Sequence, residues 1–146
     1  MSGRLERAGR IAAVVALLSA VSACGSSSAS SGTTTSATPA RTTDTFSGTV
    51  AVGGSDSHSF PTSAAGIIDV TLTAAAPPAT VIMGLSVGLP GDGGKCVALA
   101  GASTTATAGS TVQLSGTASP ATLCVDVHDV GNQTGPVSYT VTVTHP

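Results

Sequence analysis

Aromatic side chains and charges are what this chain lacks most. Among its 146 residues there is no Trp, one Tyr and two Phe, and 8% of residues are charged. Sugar-binding platforms rely on aromatic faces, so this scarcity argues against a stacking site for glycans. Cations nearly vanish past residue 45. Lys95 stands alone against Asp56, Asp69, Asp92, Asp126 and Asp129, so residues 46–146 carry a net charge of −4 with His neutral. One lysine cannot neutralise a row of phosphates, which excludes nucleic-acid binding and attraction to anionic headgroups as roles for that part of the chain. Runs of strong helix formers are missing after residue 23, and helix-based folds are excluded with them. A spanning hydrophobic stretch is absent too: the apolar run at 11–23 has 13 residues, two of them Ser19 and Ser22, where a bilayer span takes roughly 20.

What is present begins with that run. Arg4, Arg7 and Arg10 precede it, with Glu6 among them, and small residues close it. A basic start, a short apolar core and small residues at the end form the pattern of a secretion signal. The quartet Val21-Ser22-Ala23-Cys24 resembles the lipobox of bacterial lipoproteins, in which an aliphatic residue and two small ones precede a cysteine. The resemblance implies diacylglyceryl transfer to the Cys24 thiol and cleavage in front of it. Two or three acyl chains anchor a protein stably where one binds only marginally. The expected location is the bacterial envelope. In a two-membrane bacterium that means the outer membrane, because Gly25 and not an acidic residue follows Cys24; in a one-membrane bacterium it means the outer face of the plasma membrane.

The expected organisation is a cleaved signal peptide at 1–23, the lipidated cysteine and a tether at 24–45, and a folded domain at 46–146. Residues 26–45 are Ser- and Thr-rich and contain no large apolar side chain. They cannot bury enough surface to offset the entropy of ordering them. A flexible chain of that length has a root-mean-square span of roughly 25 Å.

Period-two alternation dominates the rest. In "GIIDVTLTA" the residues Ile68, Val70 and Leu72 alternate with Asp69, Thr71 and Thr73. In "TVIMGLSVGL" Val81, Met83, Leu85, Val87 and Leu89 fall on one face. Leu123, Val125 and Val127 alternate with Cys124, Asp126 and His128, and Val137, Tyr139, Val141 and Val143 alternate with Ser and Thr. Each pattern predicts a strand with one face in a core and the other towards water. Weaker strands are predicted at 46–52, 56–60, 95–99 and 111–115. Turn sequences such as "VGGSDS", "AAAPPA", "LPGDGGK" and "TASPA" separate them. Eight short strands in about 100 residues predict an all-β, antiparallel two-sheet sandwich of jelly-roll type.

With Cys24 spent on lipid, Cys96 and Cys124 remain. An exported domain lies in a disulfide-permissive place. A Cys96–Cys124 bridge would close a loop of about 29 residues, worth roughly 3–4 kcal/mol in the chain-entropy account. Two buried free thiols are the alternative, and the spacing is poor for zinc.

Several stretches resemble the bacterial pre-peptidase C-terminal domain, a small jelly-roll-like sandwich often appended to secreted enzymes. "FSGTVAVGGSDSHSFPT" is similar to its opening, where a strand, a Gly-rich turn and an aspartate lead to a strand ending in an aromatic. "GIIDVTLTA" is similar to its next strand, and "LCVDVHDVGNQTGPVSYTVTVTHP" to its closing hairpin. The chain departs from the pattern at Leu123, where an aromatic is usual, and in its two cysteines. Asp44 and Asp56 are isolated, so the calcium site of some members does not carry over. No catalytic residue is implied.

Three groups of residues carry possible chemistry. "DVHDVGN" places Asp126 and His128 on one strand face, where they could share a metal; a strong site takes three or four ligands. The plainer reading is a polar face beside a turn, with Asp129 and Asn132 bonding loop backbone. "SDSHS" holds Asp56, Ser57 and His58, but a Ser-His-Asp triad is defined by geometry, not adjacency, and the plainer reading is a polar edge strand. "PGDGGK" lacks the ending of a phosphate loop and predicts a hairpin turn. His145 and Pro146 read as the end of the last strand.

The expected function is a lipid-anchored, non-catalytic module for binding or scaffolding, with a protein partner favoured over a glycan and with no cofactor. The alternatives are a small envelope hydrolase or metal-binding protein using Asp126, His128 and His58, and a structural spacer or coat protein.

Overall fold

The computed structural model of the protein describes residues 38–146. Cys24, the signal sequence and most of the expected tether lie outside the described residues. The described part is all β: β1 (Thr42–Val50), β2 (Ser55–Thr62), β3 (Gly66–Ala76), β4 (Met83–Pro90), β5 (Cys96–Ala106), β6 (Leu114–Ala118), β7 (Ala121–Asp129) and β8 (Val137–His145), with one 3-10 turn at Asp92–Gly94. The strands form two four-stranded antiparallel sheets, ordered β1-β8-β3-β6 and β2-β7-β4-β5. Consecutive strands change sheet at every connection except the β4–β5 hairpin, which is the strand order of a jelly roll.

Alternation explains most of the core. Ile68, Val70 and Leu72 of β3 face Val125 and Val127 of β7 across the sandwich, joined by Val137, Val141 and Val143 of the central strand β8, and all are buried. The core is aliphatic, with Phe60 and Tyr139 its only buried aromatic side chains among the described residues. Removing such a side chain, as in Leu72→Ala, is expected to cost about 2–5 kcal/mol.

Four expectations need correction. β1 begins at Thr42, inside the stretch read as tether. Thr42–Thr45 have no apolar side chain to signal a strand, and their backbone pairs with Thr142–His145 of β8. Hydroxyls reinforce that pairing: Thr43 and Thr144 share a hydrogen bond of 2.8 Å, Ser47 and Thr140 one of 3.0 Å. Second, residues 123–146 do not form a closing hairpin, because β7 and β8 belong to different sheets and the 130–136 connection crosses the sandwich. Third, Leu89 is 48% exposed, and β4 leaves the core there. Fourth, β4 is buried on both faces from Met83 to Gly88. Its outward residues are Gly84, Ser86 and Gly88, and neighbours fold over them: a Cβ on Gly84 would strike the His128 ring, and one on Gly88 the carbonyl of Val97.

That last contact positions the disulfide. Gly88 pairs with both Cys124 and Ala98. Without a side chain at Gly88 the start of β5 folds across β4, and Cys96 reaches Cys124 on the strand beyond, with a Cα–Cα distance of 5.7 Å. The Cys96–Cys124 bond therefore staples three adjacent strands.

Candidate functional site

The residues singled out for chemistry fall into two clusters on opposite faces of one sheet. β2 runs along the edge beside β7, with Ser57 opposite Asp126 and His58 opposite Val125. Partners in an antiparallel ladder share a face. Ser57 therefore points outward with Asp126, and His58 points inward with the core valines. His58 is not brought together with Asp126 and His128, so the three do not form one site.

On the outer face, the Ser57 hydroxyl donates to Asp126 Oδ1 at 2.7 Å and His128 Nδ1 donates to Asp126 Oδ2 at 2.9 Å. The residue types are those of a hydrolytic triad, but the order is different. A triad needs the imidazole between hydroxyl and carboxylate, to take the hydroxyl proton. Here the carboxylate lies in the middle, and Ser57 gives its hydrogen bond to Asp126. Asp126 and His128 offer two ligands to a metal, and among the described residues no group of three or more His, Cys, Asp or Glu comes together. What the cluster does structurally is plain: it lays the His128 ring over Gly84 and closes the outer face of β4.

The inner cluster lies between the sheets along the β1/β2 side. Tyr139 O–H donates to Asp56 Oδ2 at 2.8 Å, and His58 Nε2 lies 2.8 Å from the same phenol oxygen. The phenol has one proton and gives it to Asp56, so His58 Nε2–H is the donor in the second bond. Burial, and then the Asp56 carboxylate, push the Tyr139 ionisation far above the ordinary tyrosine range, so the phenol stays a donor. Phe46 stacks on the His58 ring at 4.8 Å. Gly48 gives this cluster its room, since a Cβ there would strike the Asp56 carboxylate and crowd Tyr139. Further along the same side, buried His145 places Nε2 3.0 Å from Asp44 Oδ2 and packs on Phe60 at 5.2 Å. His145 is thus part of the core's polar seam and not merely the end of a strand. The signal for this seam was present in the sequence: counting back by two from Phe60 puts His58 and Asp56 on its face.

Two aspartates tie loops and strands. Asp129 Oδ1 accepts from the backbone of Gly131, Asn132 and Gln133, and Oδ2 accepts from Gly53. The Gly53 amide first, then the other three, holds its carboxyl below the usual range. Asp69 accepts from the Ser115 hydroxyl at 2.6 Å and from Arg41 at 2.7 Å, which together lower its pKa. Arg41 also donates to the carbonyls of Ile67 and Thr144, clamping the entry of the chain across β3 and β8.

At the opposite long side, β5 is the free edge of its sheet. It carries exposed Val97 (61%) and Leu99 (44%) next to Leu89, and Lys95 is the single cation nearby in sequence. Its pairing with β4 is broken by a bulge between Ser103 and Ala98, where Gly101 takes a φ of 77°. An exposed apolar edge is a template for another strand. No helix among the described residues is long and apolar enough to cross a membrane. No protein-family model matches the chain, and neither a curated protein nor a solved structure does.

Proposed function

We propose that the protein is a bacterial lipoprotein, held at the envelope through Cys24, whose sandwich is a non-catalytic module that binds a protein partner along the β5 edge. The observation that carries this reading is the edge itself: eleven residues of strand with one free hydrogen-bonding side, apolar side chains in water and no aspartate or glutamate among them. Natural sheets usually blunt such an edge with charge, proline or a bulge; β5 has the bulge but neither an acidic residue nor a proline, and an extended partner segment added beside Val97 and Leu99 would satisfy free backbone groups. The lipobox and the Ser/Thr-rich stretch behind it support display on a tether. The resemblance to the pre-peptidase C-terminal domain supports an accessory role over a catalytic one. The hydrolase or metal reading loses its third residue, because His58 lies on the other side of the sheet from Asp126 and His128.

Site-specific photo-crosslinking in intact cells tests the partner. A crosslinker at Val97 is expected to trap one protein, and the same group at Thr45, on the hydroxyl-covered outer face of the other sheet, is not. Equal labelling from both positions, or none from Val97, overturns the β5 assignment. Mass spectrometry of the mature amino terminus tests the anchor: an unmodified chain that starts anywhere but Cys24 sinks it.

A further inference from the structure

The two ends of the sandwich differ. At one end β1 begins and β8 stops, and the 63–65, 91–95 and 119–120 connections lie beside them. Thr42 pairs there with His145 and Thr62 with Ala121, and the Ser63 amide donates to the Pro146 carbonyl. The chain coming from Cys24 enters at this end. Arg41 fixes the entry by donating to Asp69 and to the carbonyls of Ile67 and Thr144. The far end carries the 51–54, 77–82 and 130–136 connections.

Both ends expose aliphatic side chains: Leu89 (48%) and Ile67 (52%) at the entry end, Val52, Ile82 and Val130 at the far end. Charge separates them. Arg41 and Lys95 are the two lysine or arginine residues among the described ones, and both lie at the entry end, Lys95 in the 91–95 connection. The far half holds Asp56, Asp126 and Asp129 and no lysine or arginine. Chain length separates them as well. Arg41 is 17 residues beyond Cys24, and a flexible chain of that length spans roughly 23 Å. The nine residues of β1 rise roughly 27–30 Å from the entry end to the far end. With Cys24 in a membrane, the entry end meets the surface while the chain is slack. The far end meets it only when the chain is also drawn along the whole sandwich.

We propose, resting on the reading of Cys24 as the lipid anchor, that the entry end sits on the surface of the bilayer that holds the lipid. Leu89 and Ile67 then lie at the level of the headgroups, with Lys95 beside the phosphates. The lipid supplies the attraction, which one lysine does not. The domain's own groups select only which end faces down, by apolar contact and by keeping three aspartates away from the phosphates. β5 starts at this surface with Cys96 and runs away from it to Ala106. Its free edge therefore stays open alongside the membrane, where a protein partner approaches it laterally.

The chain contains no Trp, so one introduced tryptophan reports its own surroundings. The test takes the lipidated full chain in phosphatidylcholine vesicles, part of the lipid being brominated near the top of its acyl chains. Leu89→Trp and Ile67→Trp, held at the boundary of headgroups and acyl chains, are expected to lose emission about twofold, and Val52→Trp to keep it. In the unsubstituted chain, amides of the 91–95 connection are expected to exchange more slowly on vesicles than in the Cys24→Ser chain without vesicles, and those of 51–54 equally fast in both. Quenching of Val52→Trp equal to that of Leu89→Trp overturns the orientation. So does a chain that floats with the vesicles while neither entry-end tryptophan is quenched, and in that case the anchor stands. A chain that does not float sinks the anchor and the orientation together. Where a tryptophan variant fails to fold, unchanged exchange in the 91–95 connection overturns the orientation by itself.

Discussion

The two long sides of the sandwich are closed in opposite ways. Along β1 and β2 the gap between the sheets is filled by large groups that hydrogen-bond one another: Phe46 on His58, His58 and Asp56 on Tyr139, His145 on Asp44. Along β5 and β6 the same gap is bordered by Gly116, Ala118, Ala102 and Ala121, and a cavity remains. A side sealed by a polar seam has a fixed geometry, because each hydrogen bond specifies its partner and a lost one leaves a buried group unsatisfied. A side bordered by small aliphatic residues specifies little and leaves room. The covalent staple joins β5, an edge strand of the open side, to β7 across β4. The sealed side is held by hydrogen bonds, and the open side is held by a bond that needs no packing.

Breaking the staple is the largest perturbation expected. The double variant Cys96→Ala/Cys124→Ala should lose about 3–4 kcal/mol in urea unfolding, from a loop of 29 residues released in the unfolded chain. The loss should be spent on the open side first. Amides of β5 should lose hydrogen-exchange protection while those of β1 and β2 keep theirs; uniform loss would erase the distinction between the sides. The matching perturbation of the sealed side is Tyr139→Phe. It removes one hydroxyl and leaves Asp56 and His58 without their shared partner, at an expected cost of about 1–3 kcal/mol. A Tyr139→Phe variant as stable as the parent would mean the seam contributes packing alone.

How legible these two sides were differs as well. The inward residues of β3, β7 and β8 could be read from alternation, because each strand has one apolar face and a one-residue slip would expose it. The sealed side was half legible: counting by two puts Asp56 and His58 on the inward face of Phe60, but their partner Tyr139, 81 residues beyond His58, could not be read. Strand pairing was also out of reach. Alternation says which way a side chain faces but not which sheet the strand joins, and so β7 and β8 read as a hairpin. The open side left almost no trace, because an inward glycine in a weak strand resembles any turn glycine. The Cys96–Cys124 bond was readable by cysteine count. The folding of β5 over Gly88 that makes it reachable was not.

Filling the open side should sharpen the comparison from the other direction. Gly116 has no positive φ, lies exposed beside the gap, and a Cβ built on it meets nothing within 4 Å. Gly116→Leu is therefore expected to raise stability by about 0.5–2 kcal/mol, as cavity-filling changes do. Gly48→Ala, on the sealed side, would place its methyl against the Asp56 carboxylate and should cost about 1–3 kcal/mol by overpacking. Opposite signs for the two glycine replacements, read from the same denaturation curves, are the expected result. Equal losses would show that the β5/β6 gap is not open space in solution.

The smallest effect expected is in acid, and it too concerns the open side. Asp69 accepts from Ser115 and so ties edge strand β6 to β3. Its folded pKa lies below the ordinary value because of that hydroxyl first and of Arg41 second. A depressed carboxyl adds stability that is fully present above the unfolded pKa, about 3.9, and disappears as pH falls through the folded value. The groups are partly exposed, so the contribution is set at about 0.2–1 kcal/mol. Between pH 5 and the acid transition, Asp69→Asn should flatten the fall in stability by that amount. Asp129, lowered in the same direction by four backbone amides, adds to the same slope but at the β7–β8 loop. Hydrogen exchange separates the two: after correction for intrinsic rates, β6 amides should lose protection on acidification in the parent and show no further loss in Asp69→Asn. Acid sensitivity of β6 that persists in Asp69→Asn would move its cause away from this carboxylate.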